Sequence, residues 1–266
     1  INGGQLAGLR NKIINGDFRR WDYATTYSLT TTVAYGSANR WVSTMGTSPA
    51  GIFNRDTSIT AGLGFTCNAK IGRTVASSLT NAIVVAQAFE SANSIPLAGK
   101  TVNLSFYAKA GANYSAASSA LTVLLRTGTG TDESASNGIS GTWTGAASPI
   151  NTTVTLTTSW QRFTVAVNAA LSVTLASSIT QLMVDFRYTP VGTAGADDNY
   201  YLTGVQLEIG SVATPFEDIG EGLTALLCAR YLPIWIGNTV PLGCGQCIST
   251  TAAQLNLPFS TPSRIA

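Results

Sequence analysis

At residues 101–109 the chain reads TVNLSFYAK, in which apolar and polar side chains alternate. Because successive side chains of a β-strand point to opposite faces, this pattern predicts a strand with one face in a core and the other outside. The predicted inward set is Val102, Leu104, Phe106 and Ala108, and the predicted outward set is Asn103, Ser105, Tyr107 and Lys109.

Four other stretches show the same two-sided pattern. Their predicted inward sets are Ile83, Val85 and Phe89; Leu121, Val123 and Leu125; Phe163, Val165 and Val167; and Leu182, Val184, Phe186 and Tyr188. Their predicted outward residues are Arg126, Arg162, Gln181, Met183, Asp185 and Arg187, with Gln87 borderline. Joints rich in Gly, Ser, Thr and Asn separate them, and helical periodicity is nearly absent before residue 217. An all-β fold, an antiparallel jelly-roll β-sandwich over residues 11–216, is therefore predicted.

The flanks of this domain have a different character. Residues 1–10 are predicted to be a connector. After Pro215 a short helix is predicted, because Leu223, Leu226 and Leu227 recur at helical spacing and Pro233 follows. The rest of 217–266 has too few residues for a core of its own. It is predicted to be the start of a second small β module, a partial C-terminal tip that is cut short or completed by neighbouring chains.

The composition restricts the classes of function. Only 11% of the residues are charged, against about 25% in ordinary soluble domains, and the formal net charge is +2. A surface of Thr, Ser, Asn and Gly suits a protein assembled into a larger particle or one that meets neutral polar ligands, although a plain Thr/Ser-rich β-protein has the same composition. Nucleic acid is not predicted as a partner. Membrane insertion is not predicted either, because no run of about 20 apolar residues occurs.

The cysteines and the lack of histidine bear on chemistry. Cys67, Cys228, Cys244 and Cys247 are predicted to be mostly free thiols, and the CxxC pair has no second ligand pair for zinc. Without histidine there is no Ser-His-Asp or Cys-His arrangement. Glycoside cleavage by a pair of carboxylates is the enzymatic alternative that is left. The acids available for it are Asp132, Glu133, Asp185, Asp197, Asp198 and Glu208. The pairs 132–133 and 197–198 are predicted to be solvated turn acids, so no enzyme is predicted.

Two framing segments carry a family resemblance. The first reads NKIINGDF at 11–18, with Trp21 and ANRW at 38–41 after it; the second reads VQLEIGSVATPFE at 205–217, with CARY at 228–231. Together, and with residues 258–266, they resemble the carbohydrate-binding-module-like jelly-roll domain of bacteriophage tail fibres and related receptor-binding proteins. On this basis residues 12–18 and 200–211 are predicted to be the neighbouring first and last strands of the sandwich. A turn or bulge is predicted at Asn15-Gly16, and Trp41 is predicted to be core.

The resemblance implies a virion tail-fibre component that binds host surface glycan, either lipopolysaccharide or capsular polysaccharide, without turnover. It also implies a homotrimer and contacts with other virion tail proteins. A purely structural fibre or capsid-decoration module, and a polysaccharide depolymerase spike, are the alternatives. Modules with a similar start often hold a structural calcium between the first strand and an acidic residue of the last, where this chain has Thr203. No metal and no cofactor are therefore predicted, and Asp17 with backbone carbonyls is the open alternative for calcium.

Glycan recognition uses aromatic rings together with carboxylate, amide or guanidinium groups. The candidate ligand-binding residues are Tyr107, Arg126, Asp185 and Arg187, with Gln87 as an addition and Trp21, Tyr23, Tyr27 and Trp143 as loop aromatics. The hypothesis is that these side chains converge on one outer sheet face. The alternative for each is an ordinary surface or inter-subunit contact.

Overall fold

The computed structural model describes residues 9–46, 50–59, 63–165, 172–231, 244–250 and 252–256, with backbone alone for 244–248 and 252–256. Most of the predicted connector, Val167 and residues 257–266 lie outside the described residues. The chain divides into two compact units, Ile1–Asp218 and Ile219–Ala266.

The first unit is built mainly from short strands, with two short α-helices between them. The strands are β1 (Val42–Met45), β2 (Gly51–Asp56), β3 (Asn68–Arg73), β4 (Ile83–Phe89), β5 (Thr101–Ala110), β6 (Ala120–Gly128), β7 (Ala147–Thr155), β8 (Gln161–Val165), β9 (Val173–Thr174), β10 (Gln181–Tyr188) and β11 (Asn199–Ile209). The helices are α1 (Ser91–Ser94) and α2 (Ala135–Ser140), and single 3-10 turns occur at Ile95–Leu97 and Ala117–Ser119.

These strands form two sheets, which confirms the predicted β-sandwich. One is five-stranded in the order β1-β4-β10-β6-β7, and the other runs β2-β3-β11-β5-β8 with β9 also beside β5. All of these pairs are antiparallel. The long strand β11 is therefore central in its sheet, between β3 and β5.

The core lies between the sheets, and the two-sided alternation predicts its members correctly. The inward residues of β5, β6 and β10 are fully buried, and those of β4 and β8 are buried or packed against the core. Phe106 of β5 meets Phe186 of β10 edge to face, with ring centroids 5.1 Å apart, so the two sheets interlock at this point.

The prediction that residues 12–18 form the first strand is wrong, because this segment is not a strand. Residues 13–17 form a turn, and Asn15 has a φ of 57°. The Asn15 side chain favours this turn because its amide donates to the carbonyls of Arg20 and Asn39 and its oxygen accepts the Arg20 N–H. The predicted turn at Asn15-Gly16 is confirmed.

The predicted neighbour relation of this segment is confirmed. The Lys12 N–H donates to the Leu207 carbonyl at 2.8 Å, and the Val205 N–H donates to the Gly16 carbonyl at 2.9 Å. A Cβ atom at Gly16 would collide with the Val205 carbonyl oxygen, so only glycine allows the approach. The turn thus lies beside β11 without being a strand.

Phe18 and Trp41 join this turn to the core. Both side chains are fully buried, and their rings stack with centroids 4.7 Å apart. The indole N–H of Trp41 donates to the Asn15 carbonyl at 3.0 Å. The prediction that Trp41 belongs to the core is confirmed.

The outer face of the five-stranded sheet is covered, contrary to the expectation that it is exposed. Helix α2 lies in one of the Gly-, Ser-, Thr- and Asn-rich joints between the predicted strands. The Ser134 side chain caps its start and Gly141, with a φ of 73°, ends it. Ile139 and Trp143 pack on Met183 over this face. Gln181, Met183 and Asp185, predicted to point to the outside, do so but are buried beneath this cover.

Half of the outer face of the six-stranded sheet is covered as well. The Glu208 carboxylate accepts the backbone N–H and the hydroxyl of Thr214 at 2.7 Å each, and Gln206 accepts the Glu217 N–H at 2.8 Å. Asn103 and Ser105, predicted outward, are buried at this end of β5. The other end, beyond Tyr107, stays open.

The second unit contains the helix α3 (Gly220–Ala229), where a helix was predicted, and the antiparallel hairpin β12 (Cys244–Ser249) and β13 (Ala252–Asn256). Cys67 and Cys228 are buried and lie outside any disulfide, in agreement with the prediction of mostly free thiols, while the side chains of Cys244 and Cys247 lie outside the described residues. Within the described ranges, no helix has the length and apolar character to cross a bilayer.

Candidate functional site

The four predicted ligand-binding residues do not form one site. Tyr107 lies on β5 of the six-stranded sheet, whereas Arg126 lies on β6 and Asp185 and Arg187 lie on β10 of the five-stranded sheet. Since all four point away from the core between the sheets, Tyr107 faces the opposite side of the molecule from the other three. The strand order, which cannot be read from the sequence, separates Tyr107 from the other three residues.

Arg126, Asp185 and Arg187 do come together, as a buried ion cluster. The Asp185 carboxylate is fully buried and accepts from Arg126 Nε at 3.0 Å and from Arg187 Nη2 at 2.6 Å. Arg187 also donates to the Ile139 carbonyl of α2 at 2.6 Å. The cluster therefore fastens α2 to the sheet, and its carboxylate is not available to a ligand in this conformation.

The remaining aromatic and amide candidates are mostly structural. Trp21 and Trp143 are buried, with each indole N–H bonded to a backbone carbonyl. Gln87 holds the backbone N–H and carbonyl of Ile14 at 2.9 and 2.8 Å. Tyr27 packs against the core, and Tyr23 is 65% exposed.

Asp198, predicted to be a solvated turn acid, is instead fully buried. Its Oδ2 accepts from Nη2 of Arg73 at 2.5 Å, and the Arg73 side chain is equally buried. Arg73 also donates to the carbonyls of Ser77, Leu79, Val191 and Gly192. This buried pair ties loops 74–79 and 190–198 together at one end of the sandwich.

A group of aromatic and cationic side chains occupies the open end of the six-stranded sheet. It consists of Lys70, Tyr107, Lys109, Trp160, Arg162 and Tyr201, which we call the aromatic–cationic surface. Tyr201 of β11 is paired in register with Lys70 of β3 on one side and with Lys109 of β5 on the other. Tyr107 is paired with Arg162 of β8. Directly opposed residues of antiparallel strands share a face, so the register itself assembles this surface.

Cations and rings alternate across the aromatic–cationic surface. Lys109 Nζ lies 4.6 Å from the Tyr201 ring centroid and 5.5 Å from that of Trp160, and Lys70 Nζ lies 5.7 Å from Tyr201 on its other side. The guanidinium carbon of Arg162 lies 5.9 Å from the Tyr107 ring centroid. These separations fall within the range of cation–π attraction, which holds the flexible side chains over the sheet. Tyr107, Lys109 and Trp160 are partly exposed.

A bulge in β11 positions the Tyr107 ring. The register between β11 and β5 shifts between Thr203 and Gln206, and Gly204 there has a φ of 59°. A Cβ at Gly204 would lie 2.5 Å from the Phe65 ring and 2.9 Å from the Tyr107 ring, so glycine suits both the conformation and the space. Phe65 packs edge-on against Tyr107 at 5.3 Å and against Phe216 at 5.1 Å.

Asp197 anchors the far side of the surface. Its carboxylate accepts from the Tyr201 hydroxyl at 2.9 Å and from Asn199 Nδ2 at 3.0 Å, and Lys70 Nζ lies 3.6 Å away. Partial burial acts to raise the pKa of the Asp197 carboxyl, but the hydrogen bonds from Asn199 and Tyr201 and the charge of Lys70 outweigh it and lower the pKa below its ordinary value.

This lowered pKa predicts a pH-dependent contribution to stability. A carboxyl with a lower pKa in the folded state stabilises the fold above its ordinary pKa of 3.8, and that contribution is lost as the pH falls through the folded value. We expect Asp197→Asn to be less stable than the wild type at about pH 7 and to approach it below about pH 4 in urea unfolding. A difference in unfolding free energy that stays constant over this range would contradict the assignment.

The residues at the suggested calcium position do not fit a calcium ion. The Thr203 hydroxyl contacts the carbonyl oxygens of Asp17 and Cys67 at 3.3 and 3.1 Å, and the Asp17 carboxylate is paired with Arg19. Calcium takes six to eight oxygen ligands and favours carboxylates, whereas here the Asp17 carboxylate already forms an ion pair with Arg19. No cluster of three or more metal-ligating side chains occurs in the part of the chain that the structure describes.

Comparison with known proteins finds similarity of fold only. No protein-family model and no curated protein matches the chain. Among solved structures, it is similar to the enzymatically active domain of tailspike protein 4 from bacteriophage CBA120, at 8% identity and a TM-score of 0.45, over 75% of this chain and 21% of that one. This chain thus spans about a fifth of the tailspike chain's length.

Two further solved structures are similar over most of both chains. One is described as a CBM4 structure, with 16% identity and a TM-score of 0.40, over 73% of this chain and 97% of that chain. The other is described as a sugar-binding protein from Bacteroides thetaiotaomicron, with 13% identity and a TM-score of 0.42, over 75% of this chain and 100% of that chain.

Proposed function

We propose that this chain is a virion tail-fibre component that binds a host surface glycan on the aromatic–cationic surface, without turnover. The observation that carries the proposal is the placement of the partly exposed Tyr107 and Trp160 rings beside Lys109 and Arg162 on one sheet face. Aromatic rings stack on the C–H faces of sugars, and charged donors hydrogen-bond their hydroxyl groups. The surface offers both kinds of group side by side.

Among the residues that the structure describes, the opposite face of the sandwich offers no comparable surface. Helix α2 and Trp143 cover the outer side of β4 and β10, and the Asp185 carboxylate beneath them is saturated by two arginines. Arg126 and Arg187 therefore support the fold in this proposal, and Tyr107 is the one predicted binding residue that we keep.

The tail-fibre role is supported by the sequence resemblance at both ends of the sandwich and by the low charge content. Single sites of this kind bind weakly, and several copies on one particle raise the avidity by about 10² to 10⁴. We therefore propose a homotrimer, contact with other virion tail proteins and a location in the virion as parts of the same role.

Absence of turnover is proposed because the described acids hold loops and strands. Glu133 accepts from Gln181 and Thr144, Glu208 accepts from Thr214, and Asp198 is paired with Arg73. Glycoside cleavage needs two carboxyl groups facing a shared substrate cleft. In this proposal, Asp197, beside the aromatic–cationic surface, positions Tyr201 and does not act on the sugar.

The test is binding of the labelled full chain to immobilised lipopolysaccharides and capsular polysaccharides from candidate hosts. Tyr107→Ala and Trp160→Ala are each expected to weaken saturable binding by about tenfold, the loss of one aromatic contact. Tyr23→Ala removes an exposed aromatic outside the two sheets and is the matched control, expected to bind as the wild type.

Three outcomes would contradict the proposal. The first is unchanged binding by both surface variants, provided that these variants unfold like the wild type. The second is absence of saturable binding to every glycan. The third is release of new reducing ends from the bound polymer. The last would favour the depolymerase alternative, and the second the structural module.

A further inference from the structure

We infer that the glycan bound by the aromatic–cationic surface is acidic, a polysaccharide whose repeating unit carries carboxylates such as those of uronic acids. This inference rests on the proposed function and specifies its ligand. It departs from the neutral ligand that the low overall charge suggests, because the local charge of the surface differs from that of the chain.

The surface has an excess of positive charge. Its three cations are Lys70, Lys109 and Arg162, and the one carboxylate within ion-pairing distance of any of them, among the described residues, is Asp197 beside Lys70. The Lys109 ammonium lies over the rings of Trp160 and Tyr201, and Arg162 donates to the Ser105 hydroxyl and the Thr214 carbonyl. Two cations of the surface are therefore not neutralised by the protein within the described parts.

Elsewhere in the sandwich the arginines are commonly neutralised. The arginines paired with a carboxylate are Arg10, Arg19, Arg20, Arg73, Arg126 and Arg187. A chain with only 11% charged residues thus pairs many of its cations and leaves two together on a face that also carries the rings of Tyr107 and Trp160. A ligand that carries carboxylates would neutralise these two cations, Lys109 and Arg162.

The spacing suits a polymer with repeated charges. Lys109 and Arg162 are diagonal neighbours on β5 and β8, so their backbone positions are about 7–8 Å apart. Each has an aromatic ring beside it, Trp160 for Lys109 and Tyr107 for Arg162. A sugar ring can therefore stack while its carboxylate meets a cation, and the Arg162 guanidinium can bind a carboxylate through two parallel hydrogen bonds.

The experiment uses an array of purified bacterial capsular polysaccharides and lipopolysaccharides. Each uronate-containing polymer is present in its native form and after carbodiimide and borohydride reduction of the carboxylates to alcohols. This treatment keeps the sugar backbone and removes the charge. The wild-type chain is compared with Lys109→Gln and Arg162→Gln, and Lys100→Gln, which removes an exposed lysine from a turn, is the matched control.

We expect binding to the native acidic polymer to be at least about tenfold tighter than to its reduced form, because a hydrogen bond between charged groups is lost. Lys109→Gln and Arg162→Gln should each lower binding of the native polymer by a similar factor and lower binding of the reduced one by clearly less, because there they lose only a hydrogen bond to a neutral hydroxyl group. Raising NaCl from about 50 to about 300 mM should weaken only the native interaction.

Equal binding of native and reduced polymers, or binding confined to neutral polysaccharides, would overturn the inference and leave the proposed function standing. Absence of binding to every polymer would remove the proposed function itself, and this inference with it. The two failures are therefore distinguishable in one array.

Discussion

Replacing Arg73 with alanine is expected to lower the free energy of unfolding of the sandwich by about 3–5 kcal/mol, because it leaves a buried carboxylate without its partner. Asp198 and Arg73 are both fully buried, and Arg73 also serves four backbone carbonyls in two loops. In a domain of this size the loss corresponds to a fall in Tm of roughly 10 °C. Urea unfolding and thermal denaturation both measure it.

The control for this prediction is Arg55→Ala, which removes an exposed cation from the neighbouring strand β2. A surface substitution of this kind changes stability by less than about 0.5 kcal/mol. Arg73→Lys keeps the charge but not the planar fork of donors, so it should fall between the wild type and Arg73→Ala. A loss below about 1 kcal/mol for Arg73→Ala would show that the network does not hold the two loops.

Truncation of Trp41 to alanine is expected to cost about 3–5 kcal/mol, the range for removing a large aromatic side chain from a core. The effect has two sources. The Phe18 ring loses the partner on which it stacks at 4.7 Å, and the Asn15 carbonyl loses the indole donor at 3.0 Å. The turn at residues 13–17 would then lose one of its attachments to the core, and chemical denaturation reports the change.

Trp41→Phe separates the two sources. It keeps most of the packing but leaves the Asn15 carbonyl without the indole donor, so a loss of about 1–3 kcal/mol is expected. Tyr35→Ala, at a side chain that is 48% exposed, is the aromatic control and should change stability by less than about 0.5 kcal/mol. Equal losses for Trp41→Ala and Trp41→Phe would mean that the hydrogen bond, and not the ring, joins the turn to the core.

The inward residues of the sandwich could be predicted from the sequence because alternation is a local property. In β5 and β10 every second side chain is apolar, and the chain buries that face wherever the strand finally lies. The conformation of residues 13–17 could not be predicted in this way. There the side chain of Asn15 competes with strand hydrogen bonding by binding the backbone at the nearby Arg20 and at Asn39, which is 24 residues away in sequence.

The binding residues were harder to predict for a different reason. Alternation assigned Tyr107, Lys109 and Arg162 correctly to outward positions, but it gave no information on which outward residues share a sheet. Tyr201 became the neighbour of both Lys70 and Lys109 only because β11 lies between β3 and β5. A signal was available in Tyr201, which lies in the predicted last strand at residues 200–211, at an outward position between the core residues Tyr200 and Leu202.

By itself, the sequence determined that this protein is a two-sheet β-sandwich, which residues fill its core and where its helical segment begins, because strand periodicity and helix signals act between residues close in the chain. Only the tertiary structure decided which outer faces stay open and which side chains meet there. Helix α2 covers one face and residues 214–217 half of the other, while strand order places Tyr107 opposite Arg126 and beside Arg162. Coverage and strand order depend on contacts between distant residues, and local patterns do not encode them.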